Sequence, residues 1–135
     1  MPGKTEVAFI CTHNACRSQA AEAFARASGA EGLSFSSAGS HPASEVDPDA
    51  RRVLRERYGL DLSGCAPKWI SEIPHPDYAV SMGCGVACPF AGRPFDEDWG
   101  LADPTGLGDE EYVKVFDEIR RRVAMLIGKL SSSES

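Results

Sequence analysis

Residues 7–22 read VAFICTHNACRSQAAE and set out a short apolar run, a polar loop and an alanine-rich segment in direct succession. The apolar run is typical of a buried strand, which we place at Glu6–Cys11. From Arg17 to Ala27, alanines and a phenylalanine recur at helical spacing, and Gly29 follows as a helix stop. The stretch therefore predicts a strand, a loop and a helix, the first half of a βαβ unit.

The alternation of strand and helix continues along the chain. Asp47-Pro48 is a strong helix start, because an N-cap residue is followed by proline at the first helical position, and Gly59 ends that helix. The last helix, which Asp109 is expected to cap, carries an apolar residue at every third or fourth position. Further strands are predicted at 33–38, at 78–82 and just before Trp99, and a short helix at 68–71. This alternation predicts an α/β fold of three layers around a four-stranded parallel sheet in the order 2-1-3-4.

The composition indicates one ordinary globular domain. The chain has 135 residues, of which 42% are hydrophobic and 25% charged, so we expect one domain over 1–135 with a disordered tail at 131–135. The net charge of −6 argues against general nucleic-acid binding. No apolar run approaches the roughly 20 residues that cross a bilayer, and the N-terminus lacks the apolar core of a secretory signal. We therefore expect a cytoplasmic protein that binds neither nucleic acid nor membrane, and nothing suggests a stable oligomer.

The five cysteines favour free thiols over a permanent disulfide framework. Their odd number and the missing signal indicate a reducing compartment. A zinc site is disfavoured, because C-x4-C followed by C-x3-C departs from the usual short spacing of zinc ligands. Cys84 and Cys88 in a glycine-rich loop could still be incidental thiols or metal ligands. Cys16 and Cys65 are expected to be bystanders.

Residues 11–18 form a candidate anion site. Ligands bind beyond the carboxyl ends of parallel strands, where Cys11 ends strand 1, and a loop that leads into a helix N-terminus can turn several N–H groups toward an oxyanion. Arg17 can clamp two anion oxygens, and this positive field favours the thiolate form of Cys11. Ser18 can donate a hydrogen bond to the sulfur, and Asn14 suits a left-handed backbone position. Cys11 could instead be a plain buried strand-end cysteine, with Arg17 on the surface.

Asp103-Pro104 is the second element that could carry chemistry. A carboxyl group held by a rigid proline near an anion site can act as a general acid. The dipeptide alone is equally typical of a turn, so its meaning depends on the loop at 11–18.

Taken together, these segments resemble the low-molecular-weight protein tyrosine phosphatase fold, and within it the thioredoxin-coupled arsenate reductases. The resemblance covers roughly residues 5–128 and is carried by CTHNACRSQAAE at 11–22, SSAGS at 36–40, MGCGVACP at 82–89 and DWGLADPTG at 98–106. It implies that Cys11 is the nucleophile, Arg17 the oxyanion clamp, Ser18 the partner of the thiolate and Asp103 the acid. The substrate cradle that it implies consists of Thr12, His13, Asn14, Ala15, Cys16 and Arg17.

The resemblance also implies a cysteine relay that reduces arsenate to arsenite. Cys84 would attack the arsenic adduct of Cys11, and Cys88 would then take over Cys84 by thiol–disulfide exchange. Thioredoxin is the favoured reductant of the resulting disulfide, with glutaredoxin, a low-molecular-weight thiol or mycothiol as rivals. Only three residues separate Cys84 from Cys88, fewer than in the thioredoxin-coupled members, so the rival reductants stay open as alternatives.

Two further expectations follow from the resemblance. Some relatives bind potassium at positions matching Asn14, Glu22 and Ser37 plus an aspartate, and Lys68 matches that last position here. We expect the Lys68 ammonium to replace the ion beside Glu22, so that no potassium, metal or other cofactor is required.

The alternative functions are a phosphotyrosine phosphatase, which needs only Cys11 and its three partners, and a thiol-based metalloid sensor.

Overall fold

The fold alternates strands and helices, as predicted. The structure is a computed structural model that describes residues 4–83 and 95–132. Within them the strands are β1 (Thr5–Cys11), β2 (Leu33–Gly39), β3 (Tyr78–Ser81) and β4 (Glu97–Asp98). The α-helices are α1 (Arg17–Ala27), α2 (Pro48–Tyr58) and α3 (Asp109–Ser132), and a 3₁₀ helix spans Ile70–Glu72.

The four strands form one parallel sheet in the order β2-β1-β3-β4, which confirms the predicted topology. Cys11 pairs with Gly39 on one side, and Ile10 pairs with Ser81 on the other. The carboxyl ends of β1, β2 and β3 therefore meet at one edge of the sheet. The loop that follows Cys11 starts at this edge.

The two faces of β1 pack against different layers. Val7 and Phe9 belong to a large cluster with all three α-helices, because successive strand side chains point to opposite faces. Ala8 and Ile10 lie in a smaller cluster, against which Ile70 and other partly buried side chains pack. The α-helices, the sheet and a thinner layer around the 3₁₀ helix give the three layers that were predicted.

The ends of α2 match their sequence signals. The carboxylate of Asp47 accepts a hydrogen bond from the Asp49 N–H at 3.0 Å, and Gly59 takes a left-handed conformation with φ of 69°. The apolar stripe of α3 is buried throughout, at Tyr112, Phe116, Ile119, Val123, Leu126 and Leu130. Both features confirm the predictions for these helices.

Several boundaries differ from the predictions. Asp109 does not cap α3, because its carboxylate binds the guanidinium of Arg52 on α2 at 2.7 Å, while the Gly108 carbonyl accepts from Glu111 and Tyr112. The helix expected at 68–71 is a 3₁₀ helix shifted to Ile70–Glu72, and β3 ends at Ser81. α3 continues through two residues of the expected tail, to Ser132. None of the described helices has the length and apolar character needed to span a membrane.

Candidate active site

A pocket of about 450 Å³ opens at the carboxyl edge of the sheet. Its walls come from the loop between β1 and α1, from the segment before α2 and from the loop after β4. The polar or ionisable residues that line it are Cys11, His13, Cys16, Arg17, Glu45, Asp47, Asp103 and Thr105. The structure thus brings the predicted nucleophile, clamp and acid to one cavity.

The sulfur of Cys11 lies in a hydrogen-bonded cage. Cys11 is a free cysteine, only 3% exposed. Its Sγ accepts a hydrogen bond from the Asn14 N–H at 3.1 Å and lies 2.9 Å from the Ser18 hydroxyl. Asn14 has φ of 52°, the left-handed conformation predicted for it, and this turns its N–H back toward the sulfur. A sulfur that receives such contacts at a helix N-terminus is suited to carry negative charge.

Arg17 joins the nucleophile loop, which comprises residues 11–18, to the loop of Asp103. Its guanidinium donates to the Leu101 carbonyl at 2.8 Å and lies 4.0 Å from the Asp103 carboxylate. Its side chain is 12% exposed and borders the pocket. Because a guanidinium has five N–H donors in a planar fork, donors remain for an anion above Cys11.

Asp103 is held by a local turn. Its Oδ1 accepts from the N–H of Thr105 at 3.1 Å and from the Thr105 hydroxyl at 2.6 Å. Partial burial raises the pKa of Asp103, but the Thr105 hydrogen bonds and the positive charges of Arg17 and His13 together hold it below its usual value. An oxyanion bound beside this carboxylate would shift the balance toward the protonated form.

Cys16 lies close to the site but differs in character from Cys11. It is 5% exposed and packs in the main core while also lining the pocket. Burial, reinforced by the negative charges of Asp47 and Asp103, raises the pKa of Cys16 well above its usual value. Cys16 is therefore a neutral thiol in this setting. Cys65 is exposed, on the loop after α2.

The cation beside Glu22 is not Lys68, which corrects the sequence-based expectation. Glu22 accepts a hydrogen bond from the Ser37 hydroxyl at 2.6 Å and pairs with Arg26 at 2.6 Å. The Lys68 ammonium instead lies 3.5 Å from the Ala66 carbonyl. Arg26 reaches Glu22 because residues four apart lie on the same side of a helix.

Other predicted and unpredicted residues can also be placed. Cys84 and Cys88 lie outside the described residues. Across 4–83 and 95–132, no three His, Cys, Asp or Glu side chains form a group that could hold a metal ion. Thr105 and Leu101 were not predicted, although Asp-x-Thr is a recognisable turn signal for the first.

Gly39 is a further contributor whose role was missed. A Cβ at this position would lie 2.5 Å from the Thr12 carbonyl oxygen and 3.1 Å from the Asn14 nitrogen. The backbone at the end of β2 is therefore in direct contact with the backbone of the nucleophile loop. The motif at 36–40 contains this glycine, but the contact joins segments far apart in sequence and only the fold reveals it.

Comparisons with known proteins agree with this geometry. Residues 6–135 match the family described as low molecular weight phosphotyrosine protein phosphatase. A glutaredoxin arsenate reductase of Synechocystis sp. is 37% identical over 131 residues, covering 93% of this chain and 98% of the relative.

Solved structures extend the agreement to three dimensions. An arsenate reductase in a phosphate-binding state matches with a TM-score of 0.81 and 34% identity, over 93% of this chain and 98% of the other. The thioredoxin-dependent arsenate reductase of Corynebacterium glutamicum matches with a TM-score of 0.76 and 33% identity, over 97% of this chain and 64% of the other. The chain therefore belongs to the low molecular weight phosphotyrosine protein phosphatase family and lies among its arsenate reductases.

Proposed function

We propose that this protein reduces arsenate to arsenite, with Cys11 as the nucleophile. The observation that carries the proposal is the cage around the Cys11 sulfur, which faces a pocket shared with Arg17 and Asp103. The arsenate reductases among its relatives supply the substrate class.

The first step forms a bond between sulfur and arsenic. The thiolate of Cys11 attacks arsenate held by the loop N–H groups and by the free donors of Arg17. An arsenate oxygen leaves as water once it is protonated, and Asp103 is the group placed to give that proton. Arsenic remains in its oxidised state at this stage.

Cys84 and Cys88 complete the proposed relay by two successive attacks. The Cys84 thiolate attacks the Cys11 sulfur, so the electron pair of the sulfur–arsenic bond passes to arsenic, arsenite leaves and a Cys11–Cys84 disulfide forms. The Cys88 thiolate then attacks Cys84 and releases Cys11. An external dithiol system returns two electrons to the Cys84–Cys88 disulfide. We propose thioredoxin or glutaredoxin for this role, with the enzyme acting as a cytoplasmic monomer.

A phosphatase reaction is the second candidate, because Cys11, Arg17 and Asp103 would also suffice to cleave a phosphomonoester. The described lining of the pocket contains no Phe, Tyr or Trp side chain that could stack on a phenyl ring. This described lining therefore suits a small inorganic oxyanion better than a phosphotyrosine side chain.

The relay is tested by replacing its cysteines one at a time. We expect Cys84→Ser and Cys88→Ser to lose arsenate-dependent NADPH oxidation with thioredoxin and thioredoxin reductase, while Cys65→Ser, a control at an exposed thiol, retains it. Glutaredoxin with glutathione is run in parallel to identify the reductant. Full turnover in both variants would contradict the relay, and aryl phosphate hydrolysis without any arsenate reduction in the wild type would favour the phosphatase.

We also propose that the enzyme needs no potassium. Arg26 already provides a positive charge beside Glu22, and the Ser37 hydroxyl occupies the other carboxylate oxygen. Replacing potassium chloride with sodium chloride at equal ionic strength should leave the melting temperature and turnover unchanged. A marked rise of either value in potassium would contradict this proposal.

A further inference from the structure

A chain of hydrogen bonds between buried side chains leads from the Cys11 sulfur to the far side of the nucleophile loop. The Asn14 side chain donates from Nδ2 to the Ser18 hydroxyl at 2.8 Å. The Asn14 Oδ1 accepts from Gln19 Nε2 at 3.1 Å and from the Lys68 backbone N–H at 2.9 Å. Gln19 Nε2 also donates to the Ala66 carbonyl at 3.1 Å. Asn14, Ser18 and Gln19 are at most 2% exposed.

Two backbone groups fix the polarity of this chain. The Lys68 N–H can only donate, so the group that faces it must be the oxygen of the Asn14 amide. The Ala66 carbonyl can only accept, so the group that faces it must be the nitrogen of the Gln19 amide. Neither amide can therefore be turned over without placing two like groups against each other.

The fixed polarity determines where the single hydroxyl proton of Ser18 points. Because Ser18 Oγ accepts from Asn14 Nδ2, its own proton is available for the Cys11 sulfur 2.9 Å away. A turned Asn14 amide would present its oxygen to Ser18 and draw that proton away from the sulfur. The orientation of Asn14 thus decides whether Cys11 receives one hydrogen bond or two.

From this geometry we propose that Gln19 is a positioning residue, which holds Asn14 in the orientation that makes Ser18 donate to the Cys11 thiolate. The proposal rests on Cys11 being the nucleophile, but not on arsenate being its substrate. Gln19 does not line the described pocket, so its effect reaches the sulfur through Asn14 and Ser18. Among the described residues, the charged or titratable groups that share the pocket with Cys11 are His13, Cys16, Arg17, Glu45, Asp47 and Asp103.

The test follows the alkylation of Cys11 by iodoacetamide as a function of pH, read from the Cys11 peptide by mass spectrometry. Gln19→Met keeps the length of the side chain and removes both donors. We expect the midpoint of the alkylation profile to move about half to one pH unit higher. In a Ser18→Ala background the same substitution should move the midpoint no further, because the chain acts through that hydroxyl.

Tyr58→Phe is the matched control for lost stability, since it removes a hydrogen bond to Asp117 of 2.7 Å outside the pocket. It should lower the melting temperature without moving the midpoint. The proposal is overturned if Gln19→Met leaves the midpoint in place, or if it moves the midpoint equally with and without Ser18. Since no arsenate is used, either result is distinct from a failure of arsenate reduction.

Discussion

Two aspartates in this molecule sit in nearly the same local turn, but only one of them lies in the pocket. Asp61 accepts from the N–H and hydroxyl of Ser63 at 2.9 and 2.5 Å, just as Asp103 accepts from Thr105. Their hydrogen bonds hold the pKa of both carboxyls below the usual value. Asp103 differs in being partly buried beside Arg17. The turn thus supplies a fixed carboxylate, and its neighbours determine whether the carboxylate can do chemistry.

Arg17→Lys should have the largest effect on activity, because it alters the neighbour that distinguishes Asp103 from Asp61. A single ammonium cannot bind the Leu101 carbonyl and clamp two oxyanion oxygens together. We expect kcat/KM for arsenate to fall about 10³-fold. Arg51→Lys is the matched control, because Arg51 also donates to a carbonyl, that of Leu62, at 2.8 Å. A loss below about tenfold for Arg17→Lys would argue against its role as the clamp.

Asp103→Asn compared with Asp61→Asn tests the contrast directly. Asparagine keeps the acceptor for the turn but cannot supply a proton to a leaving oxygen. We expect the rate constant of single-turnover arsenate reduction to fall about 10²-fold for Asp103→Asn. Asp61→Asn should stay close to wild type. Equal rates for the two variants would remove Asp103 from the mechanism.

Thr105→Val should produce the smallest change. The variant loses the hydroxyl that donates to Asp103, so the pKa of Asp103 rises toward its usual value. An acid of higher pKa stays protonated to higher pH, so the alkaline limb of the plot of kcat against pH should move to higher pH. At neutral pH, kcat itself should change about threefold or less.

The stability of the Thr105→Val variant has a defined pH dependence. A depressed carboxyl pKa contributes stability above the unfolded value, about pH 4, and this contribution is lost as the pH falls through the folded value. The melting temperature of the variant should therefore be slightly below that of the wild type at pH 7, and this gap in melting temperature should close in acid. Ser63→Ala should show the same closing gap with no shift of the kcat profile. A gap for Thr105→Val that widens in acid would contradict the assigned direction.

Local signals predicted most of the fold. The bounds of α2 were predictable from Asp47, Pro48 and Gly59, because a cap, a proline and a left-handed glycine act only on residues close to them in sequence. The order of the strands followed from the connection rules for alternating elements. The 3₁₀ helix was misjudged because its boundaries depend on a contact between Trp69 and β2.

The site was predictable where its residues are close in sequence and less so elsewhere. Cys11, Arg17 and Ser18 fall within one loop, whereas the contact of Arg17 with Leu101 joins residues 84 positions apart. The expectation that Lys68 pairs with Glu22 was wrong, although the i,i+4 spacing of Glu22 and Arg26 in the sequence is typical of a helical ion pair. Gln19 offered no signal, because its role depends on backbone groups of a distant loop.

The close approach of Gly39 to the Thr12 carbonyl has a consequence for alanine scanning. At larger residues an alanine deletes atoms, but at Gly39 it adds a methyl group 2.5 Å from that oxygen. The added atom would push on the loop that shapes the anion site while the strand itself remained paired. A scan would therefore rank Gly39 with Cys11 and Arg17, although it offers the substrate no chemical group at all.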